Sequence, residues 1–294
     1  MEFHTLIDVD SLHKRQGASG LAVIDCRFDL ANPEAGARAY VAGHIPGAGY
    51  ADLNRDLSGP LTESSGRHPL PNPGLFAKRL EELGIDNDTQ VVAYDEANGS
   101  FAARLWWLLR WLGHARVAVL DGGIKAWIAA GGALEAGEAS PPTAQSSPGA
   151  KSSPPARFFS SRPDSKAVVS TAEVAAALRD PATLLVDARA AERFAGKVEP
   201  IDPVAGHIPG AVNHPFSANL DADGRFLPPT QLQARWLERL AGRDPRQVIA
   251  MCGSGVTACH NLLSLEVAGL PGAKLYAGSW SEWIRDPTRP VARE

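Results

Sequence analysis

The sequence predicts an α/β protein of two similar domains, each a mainly parallel sheet with helices on both faces. Three observations predict it. The string "VAGHIPGA" occurs at 41–48 and again, letter for letter, at 204–211. Short apolar runs alternate with amphipathic helical patterns in both halves. A Pro- and Ser-rich stretch separates the halves, "GEASPPTAQSSPGAKSSPPARF" at 137–158.

The repeat extends beyond one string, and its landmarks keep one order. Apolar runs ending in Asp-x-Arg precede each copy, "AVIDCR" (22–27) and "LLVDAR" (184–189). Downstream, "QVVAYDE" (90–96) matches "QVIAMCG" (247–253), and "VAVLDGGIKAW" (117–127) matches "AKLYAGSWSEW" (273–283). The expected division is an N-terminal domain over 1–136, a linker over 137–165 and a C-terminal domain over 166–294. The linker holds few large apolar residues and reads as extended chain.

The runs "LAVID", "QVVAYD" and "VAVLD" read as strands buried on both faces. "PGLFAKRLEELGI" (73–85) places Leu75, Phe76, Arg79, Leu80 and Leu83 at helical spacing, with Gly84 to end the helix. "SFAARLWWLLRWLGH" (100–114) is an apolar helix ending at Gly113. Its Trp106, Trp107 and Trp111 read as core, as do Trp280 and Trp283. His44 and His207 belong to the repeated string, so both halves use them as parts of the frame.

Composition narrows the function. The chain has 294 residues, 44% hydrophobic and 21% charged, with net charge −4. No basic field supports nucleic-acid binding. No apolar run is long enough to cross a bilayer, and the first residues lack a basic-then-apolar signal pattern. The expectation is a soluble cytoplasmic protein. Three cysteines, Cys26, Cys252 and Cys259, are an odd number that fits unpaired thiols in a reducing compartment. Their spacing gives no zinc site, and neither a metal nor an organic cofactor is expected.

Cys252 opens "CGSGVT" between a strand-like run and a helix-like run. It falls at the carboxyl end of a parallel strand, where open α/β sheets bind ligands. Gly253 and Gly255 let the loop curl so that backbone N–H groups point inward. A helix starting near Val256, Thr257 or Ala258 adds its positive end. Such a cradle favours thiolate over thiol and would equally suit a persulfide. The competing reading is a small buried residue beside a tight loop. Cys259 reads as a packed helix residue, with a resolving thiol as the alternative, and Cys26 as buried and inert. A cysteine-dependent phosphatase needs Arg six positions after Cys252, and Ala258 stands there. The first half carries Asp95 in place of Cys252, and a carboxylate is no sulfur nucleophile.

Two halves with "AGHIPGA", a linker, and a late "CGSGVT" resemble the tandem rhodanese-domain sulfurtransferases. The loop lacks basic residues and is similar to the 3-mercaptopyruvate type more than to the thiosulfate type. The resemblance implies two rhodanese-like domains, the first catalytically silent and packed against the second to help form the cleft. It implies that Cys252 takes sulfur from a small-molecule donor as a persulfide and yields it to cyanide, a thiol or a thioredoxin-like acceptor. Ser254 and His68, the latter from "GRHPLP", match a serine–histidine–acid relay. The acid falls in "YADLNRD", at Asn54, Asp52 or Asp56, and His68 as an ordinary surface histidine is the alternative. Gly253, Gly255, Val256 and Thr257 line the donor side of the loop.

An arginine is suited to the donor carboxylate. In "ARAAERFAG" the resemblance points to Arg193, with Arg189 as the structural alternative because it repeats Arg27. The second arginine common in the mercaptopyruvate type is missing from "VEPIDPVAG", where Ile201 and Asp202 stand. Arg67 is a candidate substitute from the facing domain. Thiosulfate remains the alternative donor, and a persulfide carrier serving a protein partner is the alternative of another class.

Overall fold

A computed structural model describes residues 2–137 and 157–294. Most of the expected linker lies outside the described residues. Nine strands are β1 (Leu6–Ile7), β2 (Leu21–Asp25), β3 (Gly49–Tyr50), β4 (Gln90–Tyr94), β5 (Val117–Leu120), β6 (Leu184–Asp187), β7 (Val212–Asn213), β8 (Val248–Met251) and β9 (Lys274–Leu275), among the described residues. The α-helices are α1 (Val9–His13), α2 (Ala35–Ala42), α3 (Pro73–Glu82), α4 (Ala102–Trp111), α5 (Gly123–Ala129), α6 (Thr171–Ala177), α7 (Ala191–Phe194), α8 (Pro229–Leu240), α9 (Ala258–Val267) and α10 (Ser279–Trp283). None is long and apolar enough to cross a membrane, among the described residues.

The chain forms two compact units, Met1–Leu57 with Pro71–Pro163, and Ser58–Leu70 with Asp164–Glu294. The first holds a sheet of order β1-β5-β4-β2-β3, the second a sheet of order β7-β6-β8-β9, and every strand pair is parallel. Every residue of β4, β5, β6 and β8 is buried. Successive strand residues face opposite sides, so helices cover both faces of each sheet. In the second unit Val168 bridges Leu275 in parallel, the place that β1 takes beside β5.

Asn72 caps α3 by accepting from the N–H groups of Gly74 and Leu75, with Pro73 at the first position. Gly84 stops it with φ +76°. The buried face is Phe76, Ala77 and Leu80. Leu75 departs from the expected stripe and is 67% exposed, because the buried side of α3 is centred on Phe76, Ala77 and Leu80. The three tryptophans of α4 are buried, and Gly113 follows with φ +87°. Beyond the linker's undescribed part, Phe159 is 3% exposed and its N–H bonds Glu81 at 2.9 Å, so this stretch packs on the first unit.

The duplicated frame is visible contact for contact. Asp25 binds Arg27, whose guanidinium donates to the Gly43 carbonyl at 2.7 Å. Asp187 binds Arg189, which donates to the Gly206 carbonyl at 2.8 Å. His44 stacks on Tyr40 and His207 on Phe194. Trp280 and Trp283 lie in the second core with Leu185, Ile208, Ile249 and Met251.

The end of the central strand differs between the units. Asp95 follows β4 and is fully buried. One carboxylate oxygen accepts from the N–H groups of Ala97 and Gly99, the other from Phe101 and Ala102, all at 2.8–2.9 Å. Burial pushes this carboxyl up, against the pull of those four donors. Asp95→Ala would leave the four N–H groups without their acceptor. We expect it to lower unfolding free energy by about 3 kcal/mol, read from the denaturant midpoint of the first unit.

Candidate active site

In the second unit the central strand β8 ends at Met251 and Cys252 takes the place of Asp95. Its side chain is buried, 2% exposed. The Gly255 N–H points at Sγ, 3.1 Å away. Gly255 has φ +78°, and a Cβ there would lie 2.4 Å from the Ala277 carbonyl oxygen. Both facts require glycine. The helix α9 begins three residues later and directs its positive end toward the loop.

The start of α10 anchors the loop from the side. Ser279 Oγ accepts the Cys252 N–H at 3.0 Å and itself donates to the Tyr276 carbonyl. The N–H groups of Trp280 and Ser281 bind the carbonyls of Cys252 and Gly253. In the first unit the Ile124 N–H binds the Asp95 carbonyl in the same way. Gly123 and Ser279 hold matching left-handed conformations, φ +58° and +53°. Ser279 and Ser281 are site-building residues that sequence reasoning missed. Their only signal was the place of "AGSWSEW" in the repeat.

Cys259 is fully buried, with its Sγ 3.3 Å from the Gly255 carbonyl oxygen. It braces the loop as a packed helix residue. Cys26 is buried in the first unit, where burial pushes its thiol up.

Ser58–Leu70 belongs to the second unit and carries two of the expected residues to the loop. Its close approach requires Gly66, where a Cβ would lie 2.6 Å from the Gly278 carbonyl oxygen. The Arg67 N–H then bonds Ser281 Oγ at 3.0 Å. His68 is 5% exposed, and its Nδ1 lies 2.7 Å from Ser254 Oγ. The serine and histidine expected to pair are thus paired, and His68 is not a surface histidine. The acid candidates lie in the first unit. Asp52 accepts from the N–H groups of Asn54 and Arg55, and Asp56 pairs with Arg79.

Arg67 and Arg193 converge on Gly253. A Cβ at that glycine would stand 2.9 Å from Arg67 Nη2 and 3.6 Å from Arg193 Nη2. Arg193 projects from the short helix α7, while Arg189 is held by Asp187 and lies over the Trp280 ring at 4.8 Å. Val256 is buried and Thr257 half-buried at the end of the loop.

Two carboxylates that sequence reasoning did not place in the site hold these arginines. Glu199 binds Arg193 at 2.7 Å and Arg189 at 3.3 Å. Asp202 bridges Arg67 and Arg193, the latter at 3.2 Å. Glu199 is held below the usual carboxylate range by Arg193 and backbone N–H groups, which outweigh its burial. Burial pushes the Asp202 carboxyl up, with Arg67 pulling the other way. Among the described residues no group of three or more His, Cys, Asp or Glu is arranged to hold a metal ion.

The arrangement offers a buried sulfur under a backbone N–H, a Ser–His pair beside it, and two guanidinium groups across Gly253. Adding a methyl at Gly255 should displace the loop and the N–H that faces sulfur. Gly255→Ala is expected to cost about 1–3 kcal/mol of stability, measured by thermal or urea unfolding.

The family model described as a rhodanese-like domain matches twice, at residues 8–130 and 170–286. A probable 3-mercaptopyruvate sulfurtransferase of Pseudomonas aeruginosa is 52% identical over 289 residues, 98% of this chain and 97% of that protein. A putative thiosulfate sulfurtransferase of Mycobacterium tuberculosis is 40% identical over 278 residues, 95% of this chain and 93% of that one. The crystal structure of SseA from Escherichia coli, described with the 3-mercaptopyruvate sulfotransferases, superimposes with TM-score 0.78 at 32% identity, covering 95% of this chain and all of that one (100%).

Proposed function

The chain belongs to the rhodanese-like family as a two-domain sulfurtransferase, and from that premise we propose that Cys252 carries sulfur from 3-mercaptopyruvate to a thiophilic acceptor. The observation that carries the reading is the Gly255 N–H on Cys252 Sγ, with Arg67 and Arg193 facing the same loop.

The Cys252 thiolate attacks the donor's sulfur. A sulfur–sulfur bond forms as the donor's carbon–sulfur bond breaks, and that bond's electron pair leaves on carbon as the enolate of pyruvate. The Ser254–His68 pair supplies the proton that converts the enolate to pyruvate. The persulfide passes its own proton back to the Ser254–His68 pair, and its terminal sulfur lies in the field of the loop N–H groups and the α9 N-terminus. An acceptor (cyanide, a small thiol or a thioredoxin-like protein) then attacks the outer sulfur, and Cys252 leaves as thiolate. No metal or organic cofactor enters these steps. The sequence composition fits work in the cytoplasm.

Arg193 is the residue that binds the donor carboxylate, with Arg67 beside it and the loop from Gly253 to Thr257 lining the pocket. Arg189 repeats the contacts of Arg27, an aspartate two residues before it and a glycine carbonyl of the repeated string, so it serves the frame, and it adds Glu199. The loop brings no cation of its own, and Glu199 and Asp202 already offset the arginines. A donor with a single carboxylate therefore suits the site better than doubly charged thiosulfate.

Steady-state kinetics test this. The value of kcat/KM is expected to be higher for 3-mercaptopyruvate than for thiosulfate; the reverse order would overturn the donor. Cys252→Ser should abolish turnover. Arg193→Ala should raise KM about tenfold or more, the cost of losing a charge-assisted contact. His68→Ala should lower kcat about 100-fold through loss of proton transfer, and retention of full kcat would remove His68 from the mechanism.

A further inference from the structure

We propose that Asp202 is an internal competitor for the donor's carboxylate, a residue that sets how tightly and which anions the sulfur-donor site accepts. The inference rests on the assignment of Arg193 and Arg67 to donor binding. Both Asp202 oxygens are engaged by those two arginines, one each, and its side chain is 3% exposed. This is the bridging position that a donor carboxylate over Gly253 would take.

Glu199 and Asp202 differ in how firmly they are held. Glu199 accepts from Arg193, from Arg189 and from the N–H groups of Ile201 and Asp202, both at 3.1 Å. It is a fixed part of the floor, and it stays on Arg193 when a ligand arrives. The Asp202 carboxylate has Arg67 and Arg193 as its partners. Rotation of one short side chain releases Arg67 from its carboxylate and opens the side of Arg193 that Glu199 does not hold. Asp202 is therefore the carboxylate that yields.

The charge count makes yielding necessary. Arg67, Arg189 and Arg193 face Asp187, Glu199 and Asp202, so the cluster is neutral before any donor enters. A buried anion added to a neutral cluster is unfavourable beside a like charge. A singly charged donor meets one displaced carboxylate; a doubly charged one meets a larger repulsion. Asp202 thus weakens binding of all anions and of dianions most.

The test uses ligand binding as well as turnover. Pyruvate presents the donor's carboxylate without the transferable sulfur, and sulfate presents a dianion. Isothermal titration of the full-length protein should show that Asp202→Asn, which keeps the shape and removes the charge, binds pyruvate at least tenfold more tightly and gains more for sulfate. The KM for 3-mercaptopyruvate should fall by a larger factor than kcat changes. If Asp202 instead holds the arginines ready for the donor, the sign reverses and Asp202→Asn binds pyruvate more weakly. A reversed sign or an unchanged affinity overturns the proposal. Asp202→Ala, checked for folding by its unfolding midpoint, serves if the asparagine variant is unstable and should change affinity in the same direction. Arg193→Ala separates the two readings. If it leaves pyruvate binding unchanged, the donor-site assignment fails and the competitor role with it. If it weakens binding while Asp202→Asn has no effect, only the competitor role fails.

Discussion

The turn after the central strand presents inward-pointing backbone N–H groups that need an anionic or electron-rich partner, and the fold is built around supplying one. In the first unit the partner is the Asp95 carboxylate, held by four N–H groups. In the second it is the sulfur of Cys252, faced by the Gly255 N–H. A carboxylate fills its nest permanently and ends the matter there. A sulfur atom leaves one valence for chemistry. The same backbone thus gives a closed structural turn in one half and, in the proposed function, a reactive one in the other.

Holding that turn requires contacts from distant parts of the chain. The start of α10 binds the loop carbonyls, Cys259 braces Gly255, and the 58–70 segment places His68 on Ser254. Each support constrains residue size. Around the reactive loop, Gly66 and Gly255 are points where backbone meets backbone too closely for any side chain. The electrostatics follow the same economy. The Cys252 loop has no cation of its own; the cations facing it are Arg67 and Arg193, and Glu199 and Asp202 balance their charge.

Much of this was legible in the sequence because the chain contains its own control. Landmarks repeated in order gave the two α/β frames, and aligning them isolated Asp95 against Cys252. The same logic separated Arg189, duplicated by Arg27, from Arg193. The pairing of His68 with Ser254 came from resemblance, since 186 positions separate them and no local pattern links them. The membership of Ser58–Leu70 in the second unit was not legible, because it depends on Gly66 lying against Gly278. Ser279 and Ser281 passed unnoticed because serine is common and their roles are set by a turn with positive φ. The missing second arginine was visible in "VEPIDPVAG". That Asp202 would grip the two remaining arginines was not, since a carboxylate's partner is decided by tertiary packing. Leu75 failed the helical stripe for the same reason: periodicity gives a face, and tertiary packing decides where that face is centred.

The central claim is that the anion nest of the second unit holds a transferable sulfur on Cys252. Peptide mapping by mass spectrometry, after incubation with 3-mercaptopyruvate in the absence of acceptor, tests it most directly. The account predicts one added sulfur atom on the peptide containing Cys252, released when cyanide is supplied, and none in Cys252→Ser. Sulfur found instead on Cys26 or Cys259, or sustained turnover with no adduct at Cys252, would contradict it.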